Sequence, residues 1–381
     1  MENYRDLPKG ICYLRNRQRF MGRFQHNKQS YTFYDKNLDN LIEKMNKAKY
    51  ELSLGLDIKQ KPYSVDEWHD IWIKYKENEV KYGTVLDYRE TYRLHIKQPL
   101  GQKKLKKITS DHIQDIYYDL AAECYSKSTL KSVRAVLNGM FTYALRKKVI
   151  LINPLDGTYL PKIKKPKKKQ VLSLEQQKIF LAYTKGNVCE PLIKLAAGTG
   201  MRIGEIRGLQ WKNVDFKNHL IHVRTTLKYG GKGKGYRLDT PKSESSERSI
   251  YMLPDIAELL SNERTLQSRR KIMAGDYWKP CEGLEDLVFT TSNGRPLHVS
   301  KVNIEIKKIQ QAMIDDGINM PPITPHLIRH MFATRCLEKG IPPKVVQDIL
   351  GHSTIEMTLD TYSHVLPDFN EKEMMKLQDV I

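Results

Sequence analysis

Apolar positions change their spacing along the chain, and these changes mark out three regions. In residues 10–35, short apolar runs are broken by polar turns, a pattern that predicts a small antiparallel sheet. A helical repeat then runs toward Gly55, and its apolar members are Leu38, Leu41, Ile42 and Met45. We therefore predict an N-terminal domain of three strands and one helix over residues 1–62.

The second region, residues 63–160, keeps helical spacing throughout. Ser64 and Glu67 stand three positions apart, as in a capping box, and predict a helix start. The apolar stripe of this helix consists of Trp68, Ile71, Trp72 and Tyr75. Further helix starts are predicted at Thr84, Ser110 and Ser128. We expect this region to be an all-helical domain.

The third region, residues 171–381, mixes the two patterns. Helical repeats surround a strand-like block with a glycine- and lysine-rich hairpin loop, "HLIHVRTTLKYGGKGKGYRLDTPKSESSERSIYML", and return from about Lys301. A short amphipathic helix is predicted for the tail, residues 368–381. The predicted fold class is therefore multidomain α+β. It combines a three-stranded sheet with one helix, a helical domain, and a mixed, mainly helical domain with a small antiparallel sheet.

The stretch "ILGHSTIEMTLDTYSHV", residues 349–365, raises the first question about function. Gly351 is typical of a helix C-cap, and Ser353 with Glu356 predicts that a new helix begins there. The apolar stripe of that helix consists of Ile355, Leu359 and Tyr362. A tyrosine on such a stripe normally packs, so only residues elsewhere in the chain can indicate that its hydroxyl reacts.

The charge balance indicates a polyanionic partner. The 381 residues carry a net charge of +20, with a pI near 9.5, which is typical of nucleic-acid-binding proteins. The linker "PKIKKPKKKQ", residues 161–170, holds six lysines and no acid. This run can be a solvated linker and still follow phosphates, since the two interpretations are compatible. In the N-terminal sheet, basic residues alternate with aromatic ones, as in a reader of the major groove, and a small sheet with a solvated face is the alternative. The candidate DNA-binding residues are Arg15, Arg17, Arg19, Arg23, Lys164, Lys165, Lys167 and Lys168.

Several other function classes find no support in the sequence. No apolar run approaches the ~20 residues of a membrane helix, and the first residues lack the apolar core of a signal peptide. Five scattered cysteines without a C-x-x-C pair indicate free thiols in a reducing cytoplasm. His326 and His330 have H-x-x-x-H spacing, but Leu327 occupies the position of the metalloprotease glutamate, so we predict no zinc site. There is no Walker A loop, and no cofactor is predicted.

Candidate chemical residues occur in polar stretches of the third region. In "TPHLIRHMFATRCL", Thr324 and Pro325 predict a helix start, which places His326 and Arg329 on one face at its positive end. Such an end favours an anion. Taken singly, each stretch has a structural explanation, for example a surface Arg–Glu pair. The full set of candidates is Arg202, Glu205, Lys242, His326, Arg329, His352 and Tyr362.

In this order and in these contexts, the candidates resemble the tyrosine recombinase family of phage and conjugative-transposon integrases. The matching pieces are "TGMRIGEIRGLQW", "TPKSESSERSI", "HLIRHMFAT" and "LGHSTIEMTLDTYSHV". The resemblance covers residues 171–381. Residues 63–160 are more weakly similar to the SAM-like core-binding domain of the family, and residues 1–62 to its arm-type DNA-binding domain. It implies a site-specific recombinase that integrates and excises a mobile element or prophage without metal or ATP.

The resemblance also implies a role for each candidate. Arg202 and Arg329 would hold the oxygens of a DNA phosphate, and Tyr362 would attack it to form a 3′-phosphotyrosyl link. His326 would assist the loss of the tyrosine proton, and His352 would donate a hydrogen bond to the phosphate. Lys242 would protonate the leaving 5′-oxygen, and Glu205 would orient Arg202.

The implied partners are double-stranded DNA at core attachment sites and arm-type sites, an excisionase and a host DNA-bending protein. Further copies of the chain would assemble as dimer to tetramer on DNA, with the tail docked on a neighbour, at the nucleoid of a bacterial cytoplasm. Two alternatives stay open. One is a DNA-binding regulator without catalysis, because "IPPKVVQDILGHSTIEMTLDTYSH" is similar to a helix–turn–helix. The other is a type IB topoisomerase, which shares the chemistry but needs no partner site.

Overall fold

The computed structural model describes residues 7–56, 62–163, 171–230, 235–240 and 247–362, and it describes side chains as far as residue 359. The chain divides into two compact units, Met1–Lys167 and Lys168–Ile381. The predicted separation of residues 1–62 from residues 63–160 stays a prediction. The lysines predicted at 164–168 and the predicted tail helix lie outside the described residues, as does Lys242.

The first unit opens with the predicted sheet and helix. Strands β1 (Ile11–Leu14), β2 (Arg19–His26) and β3 (Gln29–Asp35) pair antiparallel in chain order, and α1 (Leu38–Ser53) follows. Asn27 and Lys28 both have positive φ, so they form the two-residue turn between β2 and β3. Helix α1 packs so closely on β2 that a Cβ at Gly22 would lie 2.1 Å from Met45 Sδ.

A helical bundle forms the rest of the first unit. Its helices are α2 (Val65–Lys76), α3 (Tyr82–His95), α4 (Lys97–Leu100), α5 (Ser110–Ala122) and α6 (Lys127–Arg146). Trp68 and Trp72 of α2 are buried in its core, and Trp68 Nε1 donates a hydrogen bond to the Met140 carbonyl at 2.9 Å. The predicted stripe is wrong at Ile71, which is exposed, because Ile73 takes the inward position.

Caps explain where the bundle helices begin. The predicted capping box of Ser64 and Glu67 is confirmed in both directions. Two predicted starts are wrong, by two residues for α3 and by one residue for α6. Helix α3 begins at Tyr82 rather than Thr84, without a side-chain cap, and Ser128 lies inside α6 because Ser126 accepts the hydrogen bond from the Thr129 amide. The short α4 was not predicted.

The second unit packs helices around small antiparallel sheets. Strands β4 (Val214–Asp215), β5 (Leu220–Val223) and β8 (Arg248–Tyr251) form one sheet, and β6 (Thr226–Tyr229) pairs with β7 (Tyr236–Asp239). The predicted strand-like block is therefore confirmed. The helices are α7 (Leu174–Tyr183), α8 (Glu190–Thr199), α9 (Ile203–Arg207), α10 (Pro254–Ala274), α11 (Val299–Asp315), α12 (Pro325–Glu338), α13 (Pro343–Leu350) and α14 (Glu356–Tyr362).

Two glycines allow helices of the second unit to meet end to end. Gly200 ends α8 and Gly351 ends α13, and both adopt the left-handed conformation that favours glycine. A Cβ at Gly200 would lie 2.4 Å from Phe332 of α12 and 2.7 Å from Leu350 of α13. The C-terminal ends of α8 and α13 therefore lie close together, beside Phe332 of α12. No helix in the described part of the chain combines the length and apolar content that a bilayer span needs.

The corrected start of α6 gives the first prediction. Replacing Ser126 with alanine removes the acceptor of the Thr129 amide, and we expect a loss of about 1 kcal/mol in the stability of α6. The matched variant Ser128→Ala, two residues along on the exposed face, should cost little. Amide hydrogen exchange of α6 measures both. Equal protection in the two variants would contradict the assigned cap.

Candidate active site

The turn between α8 and α9 positions the first candidate arginine. Arg202 has extended backbone and caps α9, and its amide donates to Glu205 Oε2 at 2.9 Å. Its Nη1 donates to Glu205 Oε1 at 2.8 Å, and its Nη2 donates to the Gly351 carbonyl at 2.9 Å. Glu205 is buried, so the pair is not a surface ion pair. The Arg202 side chain is 39% exposed and is open to a ligand.

Helix α12 positions the second arginine. The predicted N-terminus is confirmed, since Thr324 accepts a hydrogen bond from the Leu327 amide and Pro325 occupies the first helical position. Arg329 follows one turn later and is buried. Its Nη1 donates to the Gly200 carbonyl at 2.8 Å and its Nη2 to the Leu350 carbonyl at 2.7 Å. Burial, with the neighbouring Arg202, lowers the pKa of Arg329 to about 9, so the guanidinium stays charged at neutral pH.

A third arginine, Arg248, completes a group that sequence analysis missed. Its Nε donates to the Ile349 carbonyl at 2.5 Å, and its Nη2 donates to Glu205 Oε2 at 2.9 Å. Within its segment, the family resemblance singles out only Lys242. The alternation along β8 carries the signal: Ile250 is buried, so residue 248 lies on the same, inward face of the strand.

Together the three guanidinium groups clamp the end of α13. They donate hydrogen bonds to the consecutive carbonyls of Ile349, Leu350 and Gly351. These carbonyls have no N–H partner within α13, because the helix ends there. A helix C-terminus carries partial negative charge and favours cations. We call this group, Arg202, Arg248 and Arg329 on residues 349–351, the arginine clamp.

Glu205 is the carboxylate that holds the clamp together. Burial opposes its ionisation, but the hydrogen bonds and charges of Arg248 and Arg202 outweigh burial and lower the pKa of Glu205. It bridges both arginines, at 2.8 Å to Arg202 and 2.9 Å to Arg248. Three guanidinium charges against one carboxylate leave the cluster with an excess of two positive charges, which favours an anion such as a phosphate.

Three histidines lie around the clamp. His352 follows Gly351, as predicted, and is buried, with Nδ1 2.9 Å from Thr358 Oγ1. Burial, then Arg329 and Arg202, lower the pKa of His352 to about 4, so its ring is neutral at pH 7. His326 is exposed in the first turn of α12, and its ring lies 4.4 Å from that of His330, edge to face.

The helix that carries Tyr362 differs from the prediction. Helix α14 begins at Glu356, and the Ile355 carbonyl accepts its first hydrogen bonds. The predicted capping box at Ser353 is therefore wrong; the Ser353 hydroxyl instead contacts the Met357 sulfur at 3.8 Å. The predicted stripe is wrong at Leu359, which is exposed, because Thr358 occupies the buried position.

The structure brings some candidates together and leaves others undescribed. Arg202, Glu205, Arg329 and His352 form one cluster, and His326 lies at the start of α12 near it. The backbone of Tyr362 ends α14, ten residues beyond His352, and its side chain lies outside the described residues, like Lys242. Within the part of the chain that the structure describes, no group of three His, Cys, Asp or Glu side chains is arranged to hold a metal ion.

The N-terminal candidates lie on the sheet of the first unit. Arg15 and Arg17 are exposed in the 3-10 turn between β1 and β2. Arg19 and Arg23 alternate along β2 on the face opposite α1. The Arg19 guanidinium lies 4.7 Å from the Tyr34 ring centre, and Arg23 Nε donates to Ser30 Oγ at 2.7 Å. This face is basic and accessible.

Comparison with known proteins decides between the open alternatives. The family model described as "Phage integrase family" matches residues 170–368, and "Phage integrase, N-terminal SAM-like domain" matches residues 64–121. The chain belongs to the phage integrase family. It is a tyrosine site-specific recombinase, and the expectation formed from the sequence is confirmed at this level. Neither a regulator without catalysis nor a topoisomerase is among the relatives described below.

Two curated relatives extend over most of the recombinase. A tyrosine recombinase XerC-like protein of Caldanaerobacter subterraneus subsp. tengcongensis is 30% identical, over 79% of this chain and 78% of its own. The transposase from transposon Tn916 of Enterococcus faecalis is 27% identical, over 89% and 83%. Both alignments extend beyond the catalytic region.

Solved structures give the same result for the fold. The Tn1549 transposon integrase, in complex with transposon right end DNA, is 26% identical with a TM-score of 0.68, over 83% of this chain and all of that one. A lambda integrase dimer bound to a core site shares the fold at 19% identity, with a TM-score of 0.57 over 94% and 96%. The predicted fold class is thus confirmed.

The clamp gives a prediction about stability. Arg248→Met leaves the Ile349 carbonyl unpaired and removes one of two cations from the buried Glu205, so we expect a loss of about 3–5 kcal/mol. Arg224→Met, on an exposed arginine nearby in the chain, is the matched control and should change little. Urea unfolding, with hydrogen exchange of α13, measures the difference. If both variants unfolded at the same urea concentration, the clamp would not stabilise the second unit.

Proposed function

We propose that this recombinase cuts and rejoins double-stranded DNA through a 3′-phosphotyrosyl intermediate, with Tyr362 as the nucleophile. One observation carries the proposal: Arg202 and Arg329 are fixed on adjacent carbonyls of the turn that leads into the helix of Tyr362. The charges that would receive a phosphate and the backbone that presents the tyrosine therefore belong to one local structure.

The arginines suit the charge that develops during attack on a phosphodiester. Each terminal guanidinium nitrogen carries two N–H bonds, so Arg202 Nη2 and both Nη atoms of Arg329 can bond a carbonyl and still offer a second N–H. Two such forks would hold the non-bridging oxygens of the five-coordinate transition state. Because the carbonyls and Glu205 fix the forks beforehand, little reorganisation is needed when charge develops.

The reaction conserves the number of phosphate ester bonds. The Tyr362 hydroxyl loses its proton, with assistance from His326, as its oxygen bonds to phosphorus. The bond from phosphorus to the 5′-oxygen breaks, and Lys242 gives a proton to that oxygen. The 5′-hydroxyl of a second DNA strand then attacks the phosphotyrosyl bond and releases Tyr362.

His352 would contribute a hydrogen bond rather than a charge. Its low pKa, caused by burial and the two neighbouring arginines, keeps the ring neutral at pH 7. A neutral imidazole carries one N–H, which can donate to a phosphate oxygen. The phosphate charge would then be balanced by the clamp.

For the DNA partners, we propose that the second unit, which is the catalytic unit, binds core attachment sites and that the N-terminal sheet binds arm-type sites. The basic face with Arg19 and Arg23, and the exposed turn with Arg15 and Arg17, support the second assignment. Transposon DNA in the Tn1549 integrase complex supports the first, and the Tn916 and Tn1549 relatives favour a conjugative transposon as the element. The linker lysines Lys164, Lys165, Lys167 and Lys168 would follow the DNA backbone.

We also propose assembly as dimer to tetramer on DNA, since structures with the same fold include a lambda integrase dimer on a core site and a tetramer on a Holliday junction. An excisionase and a host DNA-bending protein would control the direction of recombination. Recombination would take place at the bacterial nucleoid.

The nucleophile gives the decisive test. Tyr362→Phe removes only the hydroxyl, so the variant should bind attachment-site DNA normally and form no covalent adduct with a nicked suicide substrate. Tyr277→Phe changes an exposed tyrosine of the same unit and should form the adduct like wild type. Denaturing gels with protease treatment reveal the adduct. A protease-sensitive DNA–protein band from Tyr362→Phe would exclude Tyr362 as the nucleophile.

A further inference from the structure

Thr358 is a buried hydroxyl that the proposed chemistry leaves without a role. It is fully buried on α14, where an apolar stripe was expected, and its Oγ1 lies 2.9 Å from Nδ1 of His352. The backbone of His352 is fixed as well. Its amide donates to the Gln347 carbonyl at 3.1 Å, and its carbonyl accepts from Gln347 Nε2 at 3.0 Å. The ring is therefore held in one place with Nδ1 toward Thr358.

The hydrogen bond at Nδ1 determines what the other ring nitrogen can do. A neutral imidazole carries its single proton on either Nδ1 or Nε2, and the partner of one nitrogen sets the state of the other. If the Thr358 hydroxyl donates, Nδ1 accepts and Nε2 carries the proton. If Nδ1 donates instead, Nε2 presents a lone pair, which an anionic phosphate oxygen repels.

We infer that Thr358 is a positioning residue that donates its hydroxyl proton to Nδ1 and so fixes His352 as the Nε2–H tautomer, ready to donate to the phosphate. The inference rests on the proposed function, in which His352 bonds the scissile phosphate. It assigns Thr358 no contact with DNA.

The position of Thr358 also links this tautomer to the nucleophile. Thr358 and Tyr362 are four residues apart in the sequence of α14, about one helical turn. The hydrogen bond to His352 forms only when α14 is docked against the turn at residues 351–352. His352 is therefore fixed as a donor in the same conformation that docks α14, the helix that ends at Tyr362.

Substitutions at Thr358 separate the hydroxyl from the packing. Thr358→Val keeps the branched shape and removes the donor. Single-turnover cleavage of a nicked core-site substrate should then fall on the order of 10- to 100-fold, the size of loss seen when the hydrogen-bond partner of a metal-binding histidine is removed. Thr358→Ser restores the hydroxyl and should recover most of the rate. DNA affinity should stay close to wild type in both. Equal rates for valine and serine variants would overturn the inference.

A double-mutant cycle tests whether Thr358 acts through the imidazole. His352→Gln supplies a hydrogen-bond donor that has no tautomers, so Thr358→Val should cost little in that background. An equal loss in both backgrounds would mean that Thr358 only packs α14, and the inference would be wrong.

A spectroscopic measurement keeps this inference distinct from the proposed function. In the DNA-free full chain labelled with ¹⁵N-histidine, the nitrogen shifts of His352 should report Nε2–H in wild type and a mixture of tautomers in Thr358→Val. A wild-type ring protonated at Nδ1 would overturn the inference even if recombination occurs. Absence of a covalent adduct from wild type, with Nε2–H observed, would refute the proposed function alone.

Discussion

The catalytic unit depends on one interaction, the binding of three guanidinium groups to the last carbonyls of α13. Arg202 arrives from the start of α9, Arg248 from β8 and Arg329 from α12, so segments far apart in the chain converge on residues 349–351. The unpaired carbonyls of a helix end give the cations a partner inside the protein. The same turn leads directly into His352 and α14. The hydrogen bonds that hold the clamp therefore also fix the point from which α14 starts.

Three cations gathered around one carboxylate are costly unless an anion joins them. The low pKa of Arg329, caused by burial and by Arg202, shows this cost in the DNA-free protein. Glu205 offsets part of it, and a phosphate would offset the remainder. In the function proposed above, the site would therefore be complementary to a phosphate before DNA binds. Burial, and after it the charges of Arg329 and Arg202, lower the pKa of His352 and keep its ring neutral, so in the proposed reaction its tautomer matters rather than its charge.

Local signals in the sequence predict local structure well. The box at Ser64, the cap at Thr324 and the glycine at 351 each act within one helical turn, and the structure confirms all three. A local signal can also mislead: Ser353 has the spacing of a cap, yet α14 begins later, at Glu356, and Thr358 rather than Leu359 takes the buried position. The clamp could not be derived in this way, because Arg248 and Ile349 are 101 residues apart and no local pattern relates them. Family resemblance supplied Arg202 and Arg329, but it left out Arg248, whose inward direction follows only from the alternation along β8.

The claim that the clamp exists before DNA binds can be tested directly by NMR of the full chain with ¹⁵N-labelled arginine. Guanidinium groups held by carbonyls rotate slowly, so Arg202, Arg248 and Arg329 should give separate, slowly exchanging Nη–H signals in the DNA-free protein. Added core-site DNA should shift the signals of Arg202 and Arg329 without first creating them. Averaged Nη signals in the free protein, which separate only after DNA is added, would contradict a site that is assembled in advance.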